Sequence, residues 1–160
     1  METPKSYKVG MGCMEVARER EKLIAFGIGS CVVVVCYDPE KDIAGMLHGI
    51  LPANLPGRKS EILKYMNTGI DALVKRLIEE GLNVKTLKAK IFGGAKMFEI
   101  GATSDSIGER NIRAAKEVLA AKNIEIEAED TGSNYGRTIE FVVREKKAYV
   151  RSYGRETKIL

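Results

Sequence analysis

The sequence predicts an α/β protein, a mixed β-sheet core with helices packed outside it. Three observations lead there. The run Cys31-Val-Val-Val-Val-Cys36-Tyr37 is β-branched and apolar, the composition of a buried strand. Residues 61 to about 80 place Ile62, Met66, Ile70, Leu73 and Leu77 at spacings of four and three, which line up one apolar helical stripe. Strand signals come before, between and after two helices, so the strict βαβ alternation of a doubly wound sheet is not the expectation.

The first third reads as β structure. Residues 7–9, 14–17 and 23–26 are short strand candidates. Gly27-Ile-Gly-Ser30 is a turn, because glycine reaches the positive φ that tight turns demand. The 31–37 strand follows, Asp38-Pro-Glu-Lys-Asp42 turns the chain, and residues 43–51 return as the second arm of a hairpin. Ser60 stands where it would cap the first helix, and Gly81 where it would stop it. Residues 87–92 alternate Leu87, Ala89 and Ile91 with Lys88 and Lys90, a strand period. Gly93-Gly94 ends that strand. Ser106-x-x-Glu109 has the spacing of a capping box for a second helix, which carries Ile112, Ala115, Val118 and Leu119 to about residue 122. Residues 124–129, 138–143 and 148–153 are the closing strands. No repeat, low-complexity stretch or linker divides the chain, so residues 1–160 read as a single domain.

Composition narrows the function classes. With 44% hydrophobic and 30% charged residues the chain is globular, and no apolar run approaches the roughly 20 residues that cross a bilayer. The opening Met1-Glu-Thr-Pro-Lys-Ser-Tyr7 lacks the apolar core of a secretory signal, which points to a cytoplasmic protein. The net charge of +4 is spread among acids, as in Arg18-Glu19-Arg20-Glu21-Lys22, and there is no Trp, so a nucleic-acid surface is not expected. Three cysteines, Cys13, Cys31 and Cys36, suit free thiols better than a disulfide framework. One histidine and no Cys-x-x-Cys pair give no zinc site, so no metal is expected. Glutamine is absent and charge is abundant, a composition that leans toward a thermophilic source. Neither Gly27-x-Gly29 nor Gly93-Gly94-Ala-Lys96 completes a nucleotide fingerprint.

Two residues could carry chemistry. Cys31 follows a Gly-x-Gly-Ser turn at the head of the apolar strand. The strand would fix its side chain, and the Gly29-Ser30 turn could aim backbone N–H groups at a developing oxyanion. Cys36, five residues on, faces the other side of that strand as a small hydrophobe. His48 shares one face of its strand with Ala44, Met46 and Ile50. If the hairpin lays the two strands side by side, the imidazole can serve the thiol and shuttle protons. The alternative for each is a buried core residue, Cys31 as an inert thiol and His48 with its ring nitrogens satisfied.

Phe26-Gly-Ile-Gly-Ser-Cys31 resembles the nucleophile segment of the CheD chemoreceptor glutamine deamidases. Tyr37-Asp-Pro39 and Gly45-Met-Leu-His48-Gly-Ile-Leu-Pro52 resemble that family's histidine strand, and the seventeen-residue step from Cys31 to His48 agrees with its pattern. Lys90-Ile-Phe-Gly93-Gly94-Ala-Lys-Met-Phe98 is similar to the family's central glycine segment. Ile107-Gly-Glu-Arg110-Asn111 is similar to its second-helix opening, and Glu129-Asp130-Thr-Gly132-Ser-Asn-Tyr-Gly136-Arg137 to its late turn. The order of these motifs, over roughly residues 23–154, is what makes the resemblance specific.

The resemblance implies a three-layered α/β sandwich related to the catalytic domain of cytotoxic necrotizing factor toxins. It implies hydrolysis of glutamine side-chain amides on chemotaxis receptors to glutamate and ammonia, with Cys31 and His48 catalytic and no cofactor. It also implies a CheC-type phosphatase, acting on phosphorylated CheY, as a partner. Two positions depart from the pattern. Ala25 stands where the family usually has a threonine as third member of the catalytic group, so a backbone carbonyl, a water or another side chain must orient His48. Ser133 stands where a second glycine is common. Ala25 keeps a second reading open, that of a weakly catalytic or non-catalytic regulator of a CheC-type phosphatase.

Overall fold

The β-branched run after Cys31 forms a central strand, Val32–Tyr37, every residue of which is buried. A strand covered on both faces needs no polar alternation, which is why this segment reads as an unbroken apolar run. Val33, Val35 and Tyr37 point into one apolar core and Val32, Val34 and Cys36 into another.

The computed structural model describes residues 3–97 and 105–160. Strands β1 (Ser6–Lys8), β2 (Met14–Arg18), β3 (Lys22–Ile28), β4 (Val32–Tyr37) and β5 (Ile43–Gly49) lead into helix α1 (Met66–Glu79). Then come β6 (Lys88–Gly93), α2 (Ile107–Ala121), β7 (Glu125–Thr131), β8 (Arg137–Val142), β9 (Lys147–Arg151) and β10 (Lys158–Ile159). Among the described residues the strands form two five-stranded sheets, ordered β1-β3-β8-β9-β10 and β2-β5-β4-β6-β7. Each is mixed: β1 pairs parallel with β3 and β6 parallel with β7, and the other ladders are antiparallel. One core lies between the sheets and the second between the β4 sheet and the two helices. The layers are sheet, sheet and helices, so both helices flank the same side.

The helix α1 seats Met66, Ile70, Leu73 and Leu77, all fully buried, on the β4 sheet. The approach is close enough to require glycine on β5. A Cβ on Gly49 would fall 1.7 Å from the Met66 Cε. The helix closes in a Schellman pattern, with the Gly81 N–H donating to the Ile78 carbonyl and the Leu82 N–H to that of Leu77.

Three local readings of the sequence need correcting. Residues 61–80 are not one helix. A 3-10 turn at Ile62–Lys64 precedes an extended Tyr65, which caps α1 with no side-chain bond, so Ser60 does not serve as its cap. The cause is tertiary: the Lys64 carbonyl accepts from the N–H groups of Ile50 and Leu51, and the Leu51 carbonyl from that of Met66. The segment 27–30 is turn only in its second half, because β3 continues through Ile28 with an irregularity between Ala25 and Ile28. β10, which holds only two exposed residues, gives no apolar pattern to read. The second helix matches its capping-box reading, for the Ser106 side chain accepts from the Glu109 N–H at 3.2 Å. Phe98, at the end of the central glycine segment, lies outside the described residues.

Candidate active site

Cys31 sits immediately before β4, and His48 lies on the neighbouring strand β5, where it pairs directly with Val33. Alternation puts Cys31 and Val33 on one face, so Cys31 and His48 are diagonal neighbours across the hairpin, facing the core between the sheets. Both are buried, Cys31 at 9% and His48 at 4% exposure. The hairpin thus brings together the two residues singled out in the sequence. Cys36 faces the helix-side core, as alternation requires, and burial pushes its thiol up to about 12.

The turn before Cys31 is held at three consecutive carbonyls. Gly29 O accepts from the Ala95 N–H at 2.9 Å and Cys31 O from the Gly94 N–H at 2.8 Å. Between them, Ser30 O accepts from Asn111 Nδ2 at 3.0 Å. Gly93 is obligatory beside this turn: its φ is +105°, and a Cβ there would lie 2.4 Å from the Cys31 carbonyl oxygen. A cavity of about 480 Å³ opens above, lined by Gly27, Gly29, Ser30, Cys31, Ala95, Met97 and Ile107. Phe26 and Met97 give its surroundings exposed apolar surface.

The His48 ring is oriented from behind. Its Nδ1 lies 3.0 Å from the carbonyl oxygen of Val9, just beyond β1. A carbonyl can only accept, so Nδ1 carries the proton and the lone pair is on Nε2. Val9 is fixed in turn by its own N–H, which donates to Ile24 O at 2.7 Å. A backbone carbonyl, one of the orienting groups left open by alanine at position 25, thus lies against the His48 ring. Ala25 is fully buried in the core between the sheets.

Electrostatics hold both groups neutral at rest. Burial pushes the Cys31 thiol above its ordinary value, and its own backbone N–H only partly offsets this. Burial likewise lowers the His48 imidazole, against the opposing effect of the Val9 bond. An uncharged thiol beside an uncharged base suits attack with concerted proton removal more than a standing ion pair. Among the described residues no three His, Cys, Asp or Glu side chains gather into a metal-binding group.

Two groups at this site were not singled out as functional in the sequence. Val9 contributes only a backbone oxygen, which any residue would supply. Asn111 does leave a trace: with Ala115 and Leu119 it shares the buried face of α2, a polar residue in an apolar stripe.

Fold and site define a class, layered α/β proteins with a cysteine and a histidine on one face of adjoining strands. Comparison with known proteins narrows it. A family model described as CheD chemotactic sensory transduction matches residues 50–152. A probable chemoreceptor glutamine deamidase CheD of Lachnoclostridium phytofermentans is 44% identical over 154 residues, covering 94% of this chain and 96% of its own. That of Caldanaerobacter subterraneus subsp. tengcongensis is 43% identical, covering 98% of each chain. The chemoreceptor glutamine deamidase CheD of Bacillus subtilis is 40% identical over 91% of this chain and 90% of its own. The chain belongs to the CheD family. None of the helices among the described residues is long and apolar enough to cross a membrane.

Proposed function

We propose that this chain, as a single domain over residues 1–160, is a cytoplasmic protein-glutamine deamidase that converts glutamines of chemoreceptor cytoplasmic domains to glutamate. Cys31 is the nucleophile and His48 the proton shuttle. The observation that carries this reading is the His48 ring, fixed by Val9 with Nε2 as its base, on the same face as Cys31 at the neck of the β4–β5 hairpin. The names of the relatives support the substrate class.

In the first half-reaction Nε2 of neutral His48 takes the Sγ proton as sulfur attacks the amide carbon. The carbonyl π electrons move to oxygen, and backbone N–H groups of Cys31 and the Gly29-Ser30 turn hold that oxyanion. The imidazolium then gives its proton to the departing nitrogen, the C–N bond breaks, and ammonia leaves a thioester. In the second half neutral His48 removes a proton from water, which adds to the thioester carbon. Collapse expels the thiolate, and His48 returns the proton to it. Glutamate remains. The positive end of α2, whose first residue Ile107 lines the cavity, favours the negative charge that develops there.

The test is mass spectrometry of a chemoreceptor cytoplasmic fragment before and after incubation. Wild-type protein converts glutamine to glutamate and Cys31→Ala does not. Equal conversion by Cys31→Ala sinks the mechanism. The second reading, a regulator that binds a CheC-type phosphatase with little catalysis of its own, is the one Ala25 favours. It requires wild-type protein to leave receptor glutamines intact while binding that phosphatase.

A further inference from the structure

Asn111 is fully buried on an otherwise apolar face of α2, yet its side chain is spent on the site. Nδ2 donates to Ser30 O at 3.0 Å and to Ile50 O at 2.8 Å. Both partners are carbonyls, which only accept, so the amide cannot be turned the other way round. Oδ1 is left without a partner among the described residues. An apolar residue here would avoid the cost of burying that oxygen, so the two donated bonds are what the position holds an asparagine for.

The first of those bonds has a geometric consequence. The Ser30 carbonyl and the Cys31 N–H are the two ends of one planar trans peptide and point in opposite directions. Holding the carbonyl toward α2 turns the N–H away from it. Among the described residues that N–H is given to no other acceptor, and it acts on the Cys31 thiol itself. The donor therefore lies beside the sulfur, where the oxygen of a carbonyl attacked by Sγ has to sit. The second bond, to Ile50 O, ties down the chain directly past the end of β5, two residues beyond His48.

We propose that Asn111 is a positioning residue for the reaction: by holding the Ser30 carbonyl it aims the Cys31 N–H as an oxyanion donor, and by holding the Ile50 carbonyl it keeps the His48 strand in place relative to it. This rests on the deamidase reading above. Asn111 touches no substrate. The partner that reads its effect is the tetrahedral oxyanion formed from a glutamine carboxamide.

The test compares Asn111→Ala with wild type in three measurements. These are kcat and KM for a receptor fragment, the rate of Cys31 alkylation, and affinity for a peptide whose glutamine carboxamide is replaced by an aldehyde, which adds Sγ and places an oxygen in the oxyanion position. Losing the aim of one donor lowers kcat about 10–100-fold and weakens the aldehyde by a similar factor, while KM stays within about threefold. Alkylation, which forms no oxyanion, also stays within about threefold of wild type. Asn111→Ser, which keeps one donor, falls between.

A folded Asn111→Ala with kcat within about twofold of wild type overturns the proposal, as does alkylation falling in step with kcat, the mark of a merely structural residue. If Asn111→Ala does not fold, the wild type decides. The Cys31 amide proton moves downfield in the aldehyde adduct, and an unmoved resonance overturns the proposal. Full activity in Cys31→Ala would fail the reaction itself. Full activity in Asn111→Ala, with Cys31→Ala dead, fails this inference alone.

Discussion

The Nδ1–H of His48 is donated to the backbone carbonyl of Val9 over 3.0 Å, and this bond decides which nitrogen can act as a base. Burial lowers the imidazole below its ordinary 6.5, so Nε2 keeps its lone pair to more acidic pH than a free histidine would. Protonation removes the base, so kcat/KM falls as pH drops through a midpoint below 6.5. The thiol shifts the other way. Alkylation of Cys31 accelerates with rising pH through a midpoint above 9.0. Exposed Cys13 reacts first, and Cys36 only on unfolding. A Cys31 midpoint below neutrality would instead reveal a standing thiolate–imidazolium pair.

The same bond bears on the missing threonine. With Nδ1 already occupied by Val9, a hydroxyl at position 25 has no orienting work left. Ala25 is fully buried between the sheets, so the extra atoms of Ala25→Thr overpack the core and cost about 1–3 kcal/mol. Deamidation by Ala25→Thr stays within about twofold of wild type, and its melting temperature drops by several degrees. A tenfold gain in rate would mean that the carbonyl is a poor substitute.

The fold was legible wherever burial leaves a period. The 31–37 strand, its return through His48 and the stripe of α1 can all be read because side-chain alternation reports which face is covered. Diagonal pairing of Cys31 and His48 then follows from the hairpin register alone. What the sequence hides are backbone partners. Tyr65 interrupts the 61–80 pattern because Ile50 and Leu51 claim the Lys64 carbonyl, a contact that leaves no mark on residue type. The Val9 carbonyl is hidden for the same reason, whereas Asn111 shows itself as the last residue of the 107–111 motif and as a polar residue on the buried face of α2.

At the start of β8, Arg137 is buried with Nε on Asp130 Oδ2 at 3.0 Å and Nη1 on Gly132 O at 3.0 Å, its guanidinium over the Tyr135 ring. Asp130→Ala would leave that charge without its carboxylate, at a cost of about 3 kcal/mol, or roughly 10 °C in melting temperature. In the wild type burial raises the Asp130 carboxyl, but bonds from Lys158 and Arg137 outweigh it, and the folded value lies below 3.8. The sign follows. The contribution is complete above 3.8 and is lost as pH falls through the folded value. Acid melts of wild type and Asp130→Ala should therefore converge at low pH. Parallel curves down to the lowest pH would show that the carboxylate carries none of this stability.

Ser133 tests the other departure from the family pattern. It takes φ +61° directly after Gly132 at φ +80°, so two successive residues of the β7–β8 turn are left-handed and only the first is glycine. A Cβ in that region costs roughly 1 kcal/mol, and Ser133→Gly removes it. The Ser133 hydroxyl does interact with Tyr135, but Ser133 itself is exposed, so losing the contact offsets only part of the gain. The Ser133 carbonyl, which accepts from the Lys96 N–H at 2.9 Å, is backbone and survives the change. Ser133→Gly should therefore raise the melting temperature by about 1–2 °C with kcat unchanged, as read by thermal unfolding and the deamidation assay. A lower melting temperature would mean that the hydroxyl contact outweighs the backbone strain.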